Sequence, residues 1–159
     1  MYCEKCGTKL EKKFLELEGM VPYCNNCKDY RFPKFNSAVS MIIFNPDETK
    51  TLYVKQYGTG KFRLVAGYLE YGESLEHAVF REMSEEIGRI PSSIKFNASK
   101  YYSPSGTLMN NFVCKLTTEE LHTNSEIDDY EWVDIKDMEE KIRPASLAHQ
   151  FVEIYLSKK

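Results

Sequence analysis

Gly67-Tyr68-Leu69-Glu70-Tyr71-Gly72-Glu73-Ser74-Leu75-Glu76-His77-Ala78-Val79-Phe80-Arg81-Glu82-Met83-Ser84-Glu85-Glu86-Ile87-Gly88 is the stretch on which the reading of this chain turns. Leu75, Val79, Met83 and Ile87 recur every four residues, which is one face of a helix. Ser74 suits its N-cap, Gly88 its stop, and Pro91 blocks continuation. On that helix Glu82 neighbours both Glu85 and Glu86, at i+3 and i+4. Like charges so spaced repel by a few tenths of a kcal/mol when solvated, so the three acids are not there to stabilise the helix. At roughly 100° per residue, Glu86 projects between Leu75 and Val79, at the border of the apolar face. Clustered carboxylate oxygens suit a hard divalent cation, magnesium or manganese. An ordinary charged helix surface is the plainer reading. The shared arc of the acids and the glycine-punctuated loop before them count against it.

The rest of the chain reads outward from this helix. Ala38-Val39-Ser40-Met41-Ile42-Ile43-Phe44 is a buried strand ended by Asn45-Pro46-Asp47. Residues 51–57 alternate and are expected to pair with it as a hairpin. Residues 62–66 form a short strand running into Gly67. Further strands are expected near 94–103, 108–116 and 127–133. A last helix is expected from Ala145 to Leu156, with Leu147, Phe151 and Ile154 facing inward. This order predicts a mixed α/β domain.

Four of the five cysteines precede residue 28, as Cys3-x2-Cys6 and Cys24-x2-Cys27. Two such pairs on tight turns can present four thiolates tetrahedrally to zinc, with no open position, so the metal is expected to be structural. Gly7 and Asn25-Asn26 suit those turns. A disulfide framework is the competing reading, and it fits poorly with an odd cysteine count. A segment this short has too little core to fold alone, so metal binding would supply its folding energy. The expected division is a four-cysteine zinc ribbon at 1–35 and a second domain at 36–159. Cys114 sits in an alternating run and is expected to point inward as a structural thiol.

With 42% hydrophobic residues the chain has enough apolar material for a core, which excludes a largely disordered protein. No run of 18 apolar residues occurs, so no transmembrane helix and no membrane partner is expected. The N-terminus lacks the basic-then-apolar layout of a signal peptide, and a cytoplasmic location is expected. The net charge of -3 argues against broad electrostatic binding of nucleic acid. Residues 1–35 hold seven Lys/Arg against five Asp/Glu, while residues 116–140 hold ten acids and one lysine. That acidic stretch is either a solvated surface or part of a cation site.

The register of Gly67, Glu73, Arg81, Glu82, Met83, Glu85, Glu86 and Gly88 resembles the Nudix box, departing from it only at Arg89, where an apolar residue is usual. The resemblance implies an α/β/α sandwich with a mixed sheet and metal-dependent hydrolysis of a nucleoside diphosphate linked to another moiety. It implies divalent cations held by Glu82, Glu85 and Glu86 and by the main-chain carbonyl of Ala66. A helix glutamate or a downstream acid would be the general base. Glu73 and Arg81 would tie the loop to the helix. Near Trp132 the register gives Asp129 as a further metal ligand, with a solvated strand acid as the alternative.

A four-cysteine ribbon leading into such a domain is similar to the NADH pyrophosphatase group without its N-terminal domain. That similarity implies Tyr68 and Phe32 as aromatics stacking on the adenine, one from each subunit of a homodimer, with plain core packing as the alternative. It also implies Ser146 and Ala148 as a turn that meets the nucleotide. The group's Ser-Gln-Pro-Trp-Pro-Phe-Pro-Gln-Ser run is rebuilt here as Ser99-Lys100-Tyr101-Tyr102-Ser103-Pro104-Ser105-Gly106-Thr107. An NAD(H)-like dinucleotide is therefore the first expectation and ADP-ribose or another nucleotide sugar the second. A nucleoside triphosphate substrate, a non-catalytic nucleotide-sensing module and capped RNA follow.

Overall fold

Met1–Phe35 and Asn36–Lys159 form two separate units in a computed structural model that describes all of residues 1–159. The first unit is a small antiparallel sheet of β1 (Glu11–Leu15), β2 (Gly19–Cys24) and β3 (Asp29–Tyr30). Few of its side chains are buried, and two of those that are belong to cysteines, Cys3 and Cys24. No disulfide links any of the five cysteines.

The second unit is built on β4 (Asn36–Phe44), whose residues from Ala38 onward are all buried. A strand reads as a continuous apolar run when both its faces are covered. Val39, Met41 and Ile43 point into a core with α1 (Leu75–Ile87), whereas Ile42 and Phe44 point into a second core with α3 (Leu147–Ser157). Around β4 lie β5 (Lys50–Gln56), β8 (Ser93–Tyr102), β9 (Thr107–Lys115) and β10 (Ile127–Asp134), in the order β10-β5-β4-β9-β8. β4 and β9 are parallel, from Asn36↔Thr107 to Phe44↔Lys115, in an otherwise antiparallel sheet. This is the mixed-sheet sandwich expected from the sequence.

The expected hairpin of β4 and β5 is open. The two strands pair only at Phe44↔Thr51 and then diverge. The gap is filled by β6 (Phe62–Arg63) on β5 and β7 (Val65–Tyr68) on β4. β5 has β10 along its other edge, from Ile127↔Gln56 to Asp134↔Lys50. Alternation showed that residues 51–57 pair on an edge, but it carries no information about the partner.

The last helix begins at Leu147, because Ala145 is left-handed (φ 59°) and Ser146 caps the helix by accepting from the His149 N–H. Phe151 and Val152 are its buried residues, with Ala148 and Tyr155 packed beside them; Leu147 and Ile154 are only half-buried. A short helix before it, α2 (Met138–Lys141), has no sequence signal long enough to read. At the β8 bulge Asn97 turns inward, donating to Asn111 Oδ1 and to the Phe151 carbonyl, each at 3.0 Å, so a buried amide ties β8 and β9 to α3.

Met83 is fully buried in the core beneath α1, while Phe80 on the same helix is partly solvent-exposed. Met83→Ala should cost about 2–5 kcal/mol and Phe80→Ala less than about 1 kcal/mol. Denaturant unfolding followed by selectively excited tryptophan fluorescence reads this unit alone, because Trp132 is the chain's one tryptophan and packs on that core.

Candidate active site

The helix forms where the sequence placed it: Ser74 accepts from the His77 N–H, and Gly88, at φ 64°, donates to the Met83 and Ser84 carbonyls. Its apolar stripe of Val79, Met83 and Ile87 fixes the rotation of the helix on the sheet and carries two glutamates inward. Glu82 is 8% exposed and Glu86 only 3%. Glu85 is exposed. Two of the three box acids are thus buried together, and the third stands at the rim.

Arg81 organises the approach to them. Its Nε and Nη2 donate to the two oxygens of Glu73 at 2.8 and 2.9 Å, and Nη2 also reaches the Tyr68 carbonyl at 3.0 Å. Nη1 donates to Glu82 Oε1 at 2.7 Å and to Glu85 Oε2 at 3.4 Å. Arg81, and then the Glu70 N–H, hold the Glu73 carboxyl down at about 2. Glu73 and Arg81 therefore join the loop to the helix.

Gly67 has a steric reason. A Cβ there would lie 2.0 Å from the Glu82 carboxylate. The missing side chain leaves the space into which Glu82 fits, next to Ala66 on β7. Gly88 is similarly confined: a Cβ would meet His122 Cβ at 2.7 Å. Arg89, the residue departing from the box, donates to the Glu120 carbonyl at 2.6 Å and so fastens the helix exit to this same segment.

The buried acids are short of positive charge. Burial first, then the charges of Glu82 and Glu126, push the Glu86 carboxyl up to about 8; Gln56, donating to Glu86 Oε2 at 3.0 Å, opposes this. Burial also raises Glu82, against the pull of Arg81 and with the added push of Glu85 and Glu126. The downstream acid felt by both is Glu126, which accepts from the Tyr57 hydroxyl at 3.3 Å. Sequence reasoning passed over it. The available signal was its place immediately before Ile127, the first buried residue of β10. Asp129 is exposed, and its Oδ1 accepts from the N–H of its own neighbour Tyr130 at 2.9 Å. The donor set, all oxygen, with a raised proton affinity at Glu86, fits a hard divalent cation.

A cavity of about 300 Å³ opens where β4 and β5 part; Ser40, Ala66, Met109, Ser146 and Ala148 are among its walls. Tyr102, from the rebuilt run, lines it as well. Tyr68 is 57% exposed, which removes core packing as its role; Phe32, in the first unit, is 56% exposed and likewise not a core residue.

In the first unit the sulfurs of Cys3, Cys6, Cys24 and Cys27 lie within 4.8 Å of one another. Cys6–Cys24 and Cys6–Cys27 are 3.4 Å apart and Cys3–Cys27 4.0 Å. Tetrahedral zinc with Zn–S of about 2.3 Å needs sulfurs roughly 3.8 Å apart, so four thiolates here could hold one such metal. The hydrogen bond with Thr8 brings the Cys6 thiol down to about 5, while its own bond to Cys6 pushes Cys27 up to about 12. Burial works against ionising Cys3, yet Arg31 Nε, donating at 3.3 Å, together with backbone donors leaves it lowered. Cys114, by contrast, is a lone buried thiol pushed up to about 12 by that burial.

The NAD-capped RNA hydrolase NudC of Vibrio atlanticus is 25% identical over 153 residues, 96% of this chain and 56% of that protein. Human NAD-capped RNA hydrolase NUDT12 is 32% identical over 139 residues, 82% of this chain and 30% of that one. The chain thus spans little more than half the length of the bacterial relative and less of the human one. Among solved structures, the NUDIX domain of Shewanella oneidensis NrtR, complexed with ADP ribose, superposes with a TM-score of 0.66 at 18% identity, covering 86% of this chain and 93% of that one. A NUDIX hydrolase from Nitrosomonas europaea gives 0.64 at 25% identity, covering 79% and 91%. The NUDIX domain model itself matches residues 34–152, most of the chain, and the chain belongs to that family.

Proposed function

We propose that this protein is a metal-dependent diphosphatase that cleaves a nucleoside diphosphate linked to a second moiety, with NAD(H)-like dinucleotides as the favoured substrate. The observation that carries the proposal is the pair of buried acids, Glu82 and Glu86, on both of which the charge of Glu126 acts, with the Arg81 guanidinium on Glu82 as the one cationic partner. Such an arrangement is costly in a folded protein and characteristic of functional sites. Glu82, Glu86 and the rim acid Glu85 would hold magnesium or manganese, with the Ala66 carbonyl beside them and Glu126 opposite. When bound, the cation offsets charge on the diphosphate and acidifies a water. Glu86, whose proton affinity stands highest, is the group suited to take the proton from the attacking water as a P–O bond of the diphosphate bridge breaks. Arg81 and Glu73 position the glutamates. Tyr68 offers an exposed ring for base stacking, and Ser146 and Ala148 a wall for the nucleotide.

The relatives named for NAD-capped RNA support the dinucleotide. The rebuilt run from Ser99 to Thr107, which brings Tyr102 to the cavity, favours ADP-ribose as the second reading. In the first unit, the spacing of the four sulfurs supports a structural zinc.

With magnesium, turnover of NADH, ADP-ribose and NAD-capped RNA, with products identified by mass, ranks these substrates. Glu86→Gln should lower the turnover of the best of them by about 100-fold or more, without lowering the melting temperature. A well-folded variant with full activity would overturn the site.

The metal-free chain should also report the strained acid through its stability. Between the ordinary carboxylate value of 4.5 and about 8, folded Glu86 keeps a proton that the unfolded chain has lost. Stability therefore falls as pH rises through that window, and Glu86→Gln should flatten the slope. Thermal melts from pH 5 to 8 measure it. Elemental analysis should find about one zinc per chain, lost in Cys24→Ser.

A further inference from the structure

In the first unit a cation lies against the cysteine cluster. Arg31 directly follows β3, and its side chain is 14% exposed in a unit where few side chains are buried. Its Nε donates to Cys3 Sγ at 3.3 Å. Nη1 donates to Asp29 Oδ2 at 2.6 Å and to the Tyr30 carbonyl at 2.9 Å. Nη2 is buried and meets no acceptor.

The ion pair with Asp29 does not account for this placement. That carboxylate is 67% exposed, and ion pairs open to water contribute little. Nor is the guanidinium buried to satisfy its own donors, since one stays unmet. What burial achieves is contact with a sulfur. A neutral thiol is a weak acceptor, whereas a thiolate takes a charge-assisted bond, roughly twice as strong as a neutral one.

Four thiolates around one zinc(II) carry a net charge of about -2. Water reaches little of it, because Cys3 and Cys24 are almost fully buried. Other donors at these sulfurs are uncharged: the Cys27 N–H lies 3.4 Å from Cys24 Sγ and the Thr8 hydroxyl 3.3 Å from Cys6 Sγ. Arg31 brings a full positive charge within hydrogen-bond distance of a sulfur, and one such charge halves the excess. Lysine is no substitute, because a single compact ammonium lacks the planar fork that holds Asp29 and Cys3 from separate nitrogens.

We propose that Arg31 is a positioning residue of the structural zinc centre: its guanidinium, anchored by Asp29, offsets the charge of the metal-bound thiolates through Cys3 and so retains the metal. The inference rests on the zinc reading of the four cysteines and adds to it a residue outside the ligand set.

Zinc affinity of the full chain, measured by competition with a chromogenic chelator, tests it. Arg31→Gln should weaken binding by about 10- to 100-fold, the range for partners of metal ligands. Arg31→Lys, which keeps the charge but not the fork, should fall between Arg31→Gln and the wild type. Cobalt-loaded protein separates a charge effect from a loosened fold. In Arg31→Gln the tetrahedral d–d bands should persist, while the thiolate-to-cobalt charge-transfer band moves to lower energy, because a sulfur relieved of its N–H donor gives up an electron more readily.

Zinc held by Arg31→Gln within about threefold of the wild type would overturn the role of Arg31. So would equal losses in both variants with the charge-transfer band unmoved, which is the result expected of a merely structural arginine. A wild-type chain that takes up neither zinc nor cobalt would overturn the zinc reading itself, and the inference with it.

Discussion

The guanidinium of Arg81 is the interaction on which the second unit's site depends. It joins three things that the chain separates: the Tyr68 carbonyl at the end of β7, the Glu73 carboxylate in the loop, and Glu82 and Glu85 on the helix. A planar fork with donors on three nitrogens can do this; a lysine, with one compact charge, cannot. Ser74 starts the helix directly after Glu73, so the Glu73-to-Arg81 spacing of two helical turns brings the acid and the fork together. Because the loop is held at both ends, Gly67 is fixed against Glu82, where a single Cβ would fill the space the carboxylate occupies.

The helix pairs a stable device with an unstable one. Its stripe of Val79, Met83 and Ile87 is fully buried and sets how the helix lies on the sheet. That same lie forces Glu82 and Glu86 inward, one turn apart, where burial disfavours both charges. One amide, Gln56, and one guanidinium are all that the protein supplies in return. A core optimised for stability alone would place apolar residues here, since buried ions seldom improve on well-packed hydrophobes. Violations of this kind concentrate where a fold does chemistry.

Much of this was legible in the sequence because it depends on local periodicity. The helix with both its caps, the place of Glu86 beside the apolar face and the inward thiol of Cys114 all follow from spacing and from residue type. What was not legible depends on long-range pairing. The alternation of residues 51–57 could not say that β4 and β5 part after Phe44↔Thr51, because pairing energy at an edge is much the same for any partner strand. The last helix buries Phe151 and Val152, with Leu147 and Ile154 only half-buried, because its rotation is set by packing against the distant strands. Glu126 escaped notice because its effect is charge acting across the fold from the turn before β10, and no short motif in its own segment marks that.

The parting of β4 and β5 does more than admit β6 and β7. It sets Ala66 at a boundary between two electrostatic regions of one unit. Toward α1 stand Glu82 and Glu86, raised in proton affinity first by burial and further by Glu126. Toward α3 the cavity wall carries Lys61, Arg63 and Arg143 and no acid. β7 adjoins both: Ala66 lines the cavity and Gly67 lies against the Glu82 carboxylate. β7 thus divides an acidic side of this unit from a basic one, and the potential favours negative charge only on the cavity side.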